Sequence, residues 1–560
     1  MPAHPETVGR PIPRLASSRS RAALLLIAVF TFFLAGYVLT ASADIFSTGD
    51  TTIRVELAEN LSGRASPCFH GWKLDYPLHI KKEYLDPRVD RGVSGCTVST
   101  YELGQPLAII PLDYLGSHWA IHMRWPYGPT VLFVDHLVGP LFGALEVLVF
   151  FLFAFALGFG LTRSLLLTLI FGFASSVWPD EQSVLEHTEV AFFLLLAMYG
   201  AFRFREHRLG RGWLILCGIG IGGAAITRYQ DAFLGLLGVA VYLALPGGPG
   251  AGLPERIRRA LWVGAGLFPF AALDLWYSWL RFGNPLASGH HETVFGYTIW
   301  KGVLGLAVSP GKGLLWYCPA IFLLVLAAPR FARRYGALSL GFATIAVAFF
   351  LLYGYVTYWH GDPAWGPRYV YPVVPFLILP LGEVLRWRGT RRRVVWLVTA
   401  AVVLISFGVQ VSAVSVSPWR SWYRVIAYEE NHGFKWQWIA ARYRYFWNVH
   451  ESPLVFQIHG LYQLAYDDIL HSSKYELVPP DEEGFLVGLT NNYAVNQWNF
   501  WWKANELSWW MGNDKIVAGV VFLVAVMLAS GTYLVAESSG LWQAPGERRR
   551  ELLVPEPEAA

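Results

Sequence analysis

The chain has 560 residues, of which 54% are hydrophobic, 16% are aromatic and only 15% are charged. A soluble globular chain carries about 25% charged residues, so this composition excludes an ordinary soluble enzyme. Together with apolar runs of about 17–25 residues, it indicates a polytopic membrane protein. The net charge of +4 is small. No basic face is interleaved with base-stacking aromatic residues, so we expect no nucleic-acid partner.

Apolar windows of about 20 residues between charges predict an all-α membrane protein with about 12 transmembrane helices. The windows centre on residues 22–42, 131–159, 163–178, 186–203, 212–227, 230–246, 260–280, 313–329, 336–356, 369–385, 393–415 and 516–536. Ala41-Ser42-Ala43 resembles a cleavage site, so a signal peptide is the alternative for the first window. We interpret that window as an uncleaved first helix, because many further spans follow it.

Arginine-rich short loops alternate with long loops that are rich in aromatic residues. With the predicted spans, every strongly basic loop falls on the side of the basic N-terminus, which places both termini in the cytoplasm. The predicted regions are a cytoplasmic N-terminus at 1–21, a transmembrane core at 22–415 with a first outer loop at 43–130, a non-cytoplasmic aromatic-rich region at 416–515, a last helix at 516–536 and a disordered cytoplasmic tail at 537–560. We expect the two long outer regions to form a layer of short helices and loops.

Asp50 follows the first apolar run, at the head of the first outer loop. A carboxylate at such a membrane mouth is a candidate general base. The alternatives are an ordinary solvated loop acid at this position and Asp44 as the reacting acid.

Three cations lie on the outer side of the predicted topology, against the positive-inside bias. They are Arg228, Lys312 and Arg368. A shared anionic ligand such as a lipid phosphate would explain all three, and the arginine fork suits phosphate. The alternatives are pairing of Arg228 with Asp231, pairing of Arg368 with Asp362, and snorkelling of Lys312 to the interface.

The cysteines and the tryptophans give two further signals. Cys68 and Cys96 share the first outer loop and would form a disulfide in an oxidising compartment; two free thiols are the alternative. Six aromatic residues before the last span predict an interfacial belt, with stacking on a sugar or a lipid chain as the alternative. They are Trp498, Phe500, Trp501, Trp502, Trp509 and Trp510.

Four stretches carry a resemblance to a known family. They are Tyr101-Glu102-Leu103-Gly104-Gln105-Pro106-Leu107, Arg281-Phe282-Gly283-Asn284-Pro285-Leu286, Ser309-Pro310-Gly311-Lys312-Gly313-Leu314 and Trp365-Gly366-Pro367-Arg368-Tyr369. Together they resemble bacterial polyprenyl-phosphate-dependent glycosyltransferases of the GT-C fold. The resemblance is to the branch related to glycosyltransferase family 39, which includes protein O-mannosyltransferases and the aminoarabinose transferase of lipid A.

The resemblance implies an inverting transferase in the bacterial plasma membrane. It would move a sugar from a polyprenyl-phosphate donor to an envelope acceptor (lipid, glycan or protein) on the non-cytoplasmic face. Asp50 matches the position of the family's catalytic acid, although Thr51 stands where the family often has a second acid. For this chemistry, the predicted phosphate contacts are the outer cations Arg228, Lys312 and Arg368, and the predicted pocket residues are Arg54, His290, Trp359, His360 and Tyr369.

Other functions remain open at this point. The resemblance implies no metal cofactor, and His290-His291-Glu292 is the alternative metal site. A lipid or small-molecule transporter is the main rival, but transporters favour internal repeats and mid-membrane polar residues, which we do not find. An O-antigen ligase or polymerase and a non-catalytic envelope assembly protein are further alternatives.

Overall fold

The structure is a computed structural model that describes most of the chain. The described residues are 19–42, 49–64, 66–69, 89–93, 95–182, 184–206, 210–245, 252–287, 295–361, 364–418, 446–450, 452–470, 498–503 and 512–539. Several predictions lie outside them, namely those for His290, His291, Glu292, Asp44, Asp362, Trp509, Trp510, the N-terminus before residue 19, the tail after residue 539 and much of 416–515.

The described chain is mostly helical, which confirms the predicted class. The helices of its first half are α1 Arg19–Leu39, α2 Gly49–Arg64, α3 Gly104–Met123, α4 Tyr127–His136, α5 Val138–Ala156, α6 Leu161–Phe173, α7 Val177–Asp180, α8 His187–Glu206, α9 Gly212–Thr227 and α10 Tyr229–Ala244. Those of the second half are α11 Leu253–Phe282, α12 Ile299–Val308, α13 Leu314–Tyr317, α14 Leu324–Arg334, α15 Gly336–Tyr355, α16 Val374–Ile378, α17 Gly382–Leu385, α18 Arg392–Ser415, α19 Pro453–Leu470 and α20 Asn513–Ser538.

Seven helical stretches of the described chain are long and apolar enough to cross a membrane. They are Arg19–Leu39, Thr130–Ala156, Leu253–Phe282, Gly336–Tyr355, Arg368–Leu385, Arg392–Ser415 and Asn513–Ser538. Shorter apolar helices stand at three other predicted spans, at Leu161–Phe173, Gly212–Thr227 and Tyr229–Ala244. The chain is a multi-pass membrane protein, but the count of 12 spans is not confirmed.

Two predicted spans are broken into short helical pieces. In the predicted span 313–329, α13 ends at Tyr317, and the 3₁₀ segment Pro319–Leu323 leads into α14. The stretch Arg368–Leu385 alternates the 3₁₀ segments Arg368–Val373 and Leu379–Leu381 with α16 and α17. Proline lacks a backbone N–H and clashes with the preceding turn, so the prolines in both stretches interrupt the α-helical hydrogen bonds.

The predicted first outer loop contains helices and a small sheet. Strands β1 Cys68–Phe69, β2 Val89–Arg91 and β3 Thr97–Ser99 are antiparallel, in the order β1-β3-β2. A disulfide joins Cys68 and Cys96, so β1 is tied covalently to the start of β3. This sheet and helices α2 and α3 form the compact part of the predicted outer layer.

The last helix, α20, packs beside α1, and the chain just before it is fastened to the end of α1. Trp501 Nε1 donates to Val38 O over 2.7 Å, and Trp502 Nε1 donates to Leu39 O over 2.9 Å. Trp501 is 5% exposed and packs on Phe133. Trp501 is therefore packed within the protein, which differs from the lipid-facing position that the predicted belt assigns to it.

Candidate functional site

Asp50 lies in the first turn of α2, where a carboxylate is stabilised by the positive end of the helix dipole. Its Oδ1 accepts a hydrogen bond of 2.7 Å from the hydroxyl of Tyr101. Tyr101 stands just beyond β3, in the first of the four family-like stretches. The structure thus joins the predicted acid to that stretch directly.

Arg281 fixes the segment that carries Tyr101. Its Nη1 donates to the carbonyl oxygens of Ser99 and Tyr101 over 2.7 and 2.9 Å, and its guanidinium stacks on Tyr277 at 4.0 Å from the ring centre. Arg281 is only 2% exposed. This second family-like stretch therefore positions the first one.

Gly104 begins α3 at a close contact with α9. A Cβ at this position would lie 2.4 Å from Thr227 Oγ1 and 2.7 Å from Thr227 N. Only glycine permits this approach, which sets α3 against the residue that precedes Arg228.

Glu186 lies between two of the arginines. Its Oε2 is 2.9 Å from Arg54 Nη1, and its Oε1 is 3.3 Å from Arg228 Nη1. The Arg54 guanidinium also stacks on Tyr101, 4.2 Å from the ring centre. One buried carboxylate therefore joins α2 to the turn between α9 and α10.

The charges of this group depend on one another. Burial alone would raise the pKa of Glu186, but the positive charges of Arg54 and Arg228 bring it well below its usual range. Burial would likewise lower the pKa of Arg54, yet Glu186, with smaller contributions from Tyr101 and Asp50, raises it. Both groups are charged at neutral pH, and each buried charge is compensated by the opposite charge of the other.

Arg228 has several partners besides Glu186. Its Nε lies 3.6 Å from Asp231 Oδ2, which is the pairing that the sequence left as an alternative. Its Nη1 lies 2.8 Å from His187 Nε2, which must accept because a guanidinium only donates. Tyr353 donates to the other oxygen of Asp231. These contacts of Nε and Nη1 fix the orientation of the Arg228 guanidinium.

Tyr369 brings Arg228 and Arg368 together. The two guanidinium carbons lie 5.2 and 5.0 Å from the centre of its ring, so each is within cation–π range. The ring itself stacks in parallel on Tyr353, with centres 4.9 Å apart. Two of the three predicted phosphate contacts therefore share the ring of Tyr369.

Lys312 is buried against the segment that precedes Arg368. Its Nζ donates to the carbonyl oxygens of Ala364 and Gly366, the latter over 3.2 Å. The side chain is 2% exposed, so it does not snorkel to an interface. Lys312 fastens the fourth family-like stretch to the third.

Trp359 and His360 are both buried in an aromatic group that includes Phe446. The Trp359 ring packs against Gly305, and the His360 ring stacks on Phe446 with centres 4.7 Å apart. His290, the remaining predicted pocket residue, lies outside the described residues.

The contacts form one continuous group, which we call the Asp50–Arg368 array. Its members in order of contact are Asp50, Tyr101, Arg54, Glu186, Arg228, Tyr369 and Arg368. Sequence reasoning did not select Glu186 or assign a role to Tyr101. The available signals were an acid directly before His187 at the start of a predicted span, and a tyrosine that opens a family-like stretch.

Residues 137–246 match the family model described as dolichyl-phosphate-mannose-protein mannosyltransferase. Comparison with curated protein sequences finds no significant match. Among solved structures, ArnT from Cupriavidus metallidurans bound to undecaprenyl phosphate is 14% identical, with a TM-score of 0.45 over 94% of this chain and 78% of that chain. The apo state of ArnT is 13% identical, with a TM-score of 0.47 over 91% of this chain and 77% of that chain. The family match confirms the resemblance inferred from sequence. The matched segment contains Glu186 and Arg228. This multi-pass membrane protein is thus similar, over residues 137–246, to the dolichyl-phosphate-mannose-protein mannosyltransferases.

Proposed function

We propose that this chain is a membrane glycosyltransferase that uses a polyprenyl-phosphate sugar donor and acts on an envelope acceptor at the non-cytoplasmic face. The observation that carries the proposal is the Asp50–Arg368 array, which joins a carboxylate at one end to two arginines on the ring of Tyr369 at the other. The match of residues 137–246 to a sugar-transferase family supports it.

In this proposal Asp50 is the general base. Its carboxylate removes the proton of the acceptor hydroxyl as the acceptor oxygen bonds to the anomeric carbon of the donor. Tyr101 is a positioning residue, because its hydroxyl donates to one oxygen of the Asp50 carboxylate and orients it. The array lacks a second acid adjacent to Asp50, so a single carboxylate is the general base in this proposal.

The bond between the anomeric carbon and the phosphate oxygen breaks, and the lipid phosphate leaves with the electron pair. Arg228 and Arg368 stabilise the charge of that phosphate with preorganised donors. Glu186 neutralises Arg54 and holds Arg228 in place. Lys312 contributes by fixing the segment before Arg368, and its positive charge adds to the field of the site.

Binding of undecaprenyl phosphate to the full-length protein in nanodiscs, followed by native mass spectrometry, tests the phosphate contacts. Arg368→Ala should weaken binding about tenfold or more, because a charged hydrogen bond contributes about 1.5–3 kcal/mol. Arg330→Ala is the matched control, since that guanidinium stacks on Trp387, away from the array. Equal affinity of the wild type and Arg368→Ala would overturn the phosphate role.

Release of polyprenyl phosphate from a panel of polyprenyl-phosphate sugars tests the base. Asp50→Asn should lower turnover about 10²–10⁴-fold while undecaprenyl phosphate still binds. Asp514→Asn is the control, because Asp514 also lies in the first turn of a helix and is exposed. Turnover by Asp50→Asn at the wild-type rate would exclude Asp50 as the base.

A further inference from the structure

Three carboxylates from three helices converge outside the Asp50–Arg368 array. Glu59 of α2, Asp113 of α3 and Asp135 of α4 place one oxygen each within 4.8 Å of the others. Glu59 is exposed, whereas Asp113 and Asp135 are buried. The group therefore has a closed inner side and one side that is open to solvent.

Asp135 is the member that requires an explanation. It is fully buried, with 0% of its surface exposed, and neither of its carboxylate oxygens has a hydrogen-bond partner. Within the described part of the chain, none of the three acids forms an ion pair with a lysine or an arginine. An isolated buried carboxylate is costly unless a cation or a proton compensates it.

The fold builds this convergence with close helix packing. A Cβ on Gly116 would lie 3.0 Å from Val131 Cα, so α3 and α4 are in near contact one turn from Asp113. The Ser62 hydroxyl donates to Asp113 Oδ2 over 2.6 Å and so joins α2 to α3. The three acids therefore lie on three helices that pack directly on one another.

We propose that Glu59, Asp113 and Asp135 bind a hard divalent cation, with Ca²⁺ as the preferred ion, which clamps α2, α3 and α4 together. Carboxylate oxygens are the ligands of Ca²⁺, Mg²⁺ and Mn²⁺. Oxygens on opposite sides of Ca²⁺ are about 4.6–5.2 Å apart and those around Mg²⁺ about 4.0–4.2 Å, so a spread of up to 4.8 Å fits Ca²⁺ better.

The cation site is separate from the proposed chemistry. Asp50 and Glu59 are nine residues apart on α2, which corresponds to about 13 Å along the helix axis. A cation here would act by fixing the orientation of α2, the helix that carries both Asp50 and Arg54. The inference does not depend on the proposed function and holds for any activity of the chain.

Equilibrium dialysis of the purified full-length protein against ⁴⁵Ca²⁺, with Mg²⁺ as competitor, tests the site. The wild type should bind about one Ca²⁺ per chain, and Glu59→Gln and Asp135→Asn should each weaken binding about tenfold or more, as expected for loss of one ligand. Glu59 is exposed, so Glu59→Gln should fold even if Asp135→Asn does not. Asp514→Asn, an exposed acid on α20, is the control.

Thermal melting provides the second readout. Ca²⁺ should raise the melting temperature of the wild type relative to EDTA, because a ligand that binds only the folded state stabilises it. Asp135→Asn should show a smaller rise in melting temperature with Ca²⁺ than the wild type, because its affinity for the ion is lower. Absence of ⁴⁵Ca²⁺ binding by the wild type, or undiminished binding by both Glu59→Gln and Asp135→Asn, would overturn the proposal.

Discussion

Replacement of Glu186 by glutamine tests the central link of the Asp50–Arg368 array. The change keeps the size of the side chain and removes its charge. One oxygen can still accept from an arginine, but the new amide NH₂ must face the other guanidinium, donor against donor. Arg54 and Arg228 then lose the carboxylate that both of them contact.

The expected cost follows from the burial of the pair. The side chains of Arg54 and Glu186 are 5% and 11% exposed, and that of Arg228 is 11% exposed. Removal of one member of a buried ion pair costs about 3–5 kcal/mol, because a charge is left without compensation. Two arginines are affected here, so we expect a value within this range rather than below it.

Thermal melting in detergent and binding of undecaprenyl phosphate measure the two consequences. Glu186→Gln should melt earlier than the wild type and should also bind the lipid less tightly, because Arg228 is no longer held. Glu206→Gln is the matched control: Glu206 pairs at 3.7 Å with Arg205 and is 44% exposed, and such a pair contributes about 0–1 kcal/mol. If Glu186→Gln and Glu206→Gln melt at the same temperature, the reasoning about the buried carboxylate is wrong.

Three further predictions concern the surroundings of the array. Gly104→Ala should cost about 1–3 kcal/mol of stability and reduce turnover, because its Cβ would overlap Thr227. Burial raises the pKa of Asp180 from 3.8 to about 7, so the folded state holds a proton that the unfolded state releases. The contribution of Asp180 to stability should therefore fall as the pH rises from about 4 to about 7, and Asp180→Asn should make the slope of stability against pH shallower in that window. Reduction of the Cys68–Cys96 disulfide, whose cysteines are 28 residues apart, should cost about 3–4 kcal/mol.

Thermal melting checks all three, with turnover as a second readout for Gly104→Ala. Gly128→Ala is the control for that variant, because a Cβ at Gly128 has open space around it. The Asp180 prediction is contradicted if wild type and Asp180→Asn show the same pH dependence. The disulfide prediction is contradicted if reductant leaves the melting temperature of the wild type unchanged, and the double variant Cys68→Ser, Cys96→Ser should not respond to reductant.

The sequence by itself determined the membrane class, most of the apolar helices and the stretches that carry the array. These are local properties, because hydropathy over one helix length and proline or glycine at a turn need no information about distant residues. It also selected Asp50, Arg228 and Arg368, since charges on the outer side of a membrane protein stand out against the positive-inside bias. The broken spans were less predictable, because hydropathy alone does not register a lost backbone hydrogen bond.

Only the tertiary structure decided which side chains meet. Glu186 pairs with both Arg54 and Arg228, because α2, the start of α8 and the α9–α10 turn pack against one another. Tyr101 contacts Asp50 because Arg281 holds the backbone carbonyl of Tyr101 in place. Asp135 is a single acid within an apolar stretch of the sequence. In the structure it lies close to Glu59 and Asp113, because α3 and α4 pack closely at Gly116. Each of these pairings depends on helix packing between distant parts of the chain, which no local pattern encodes.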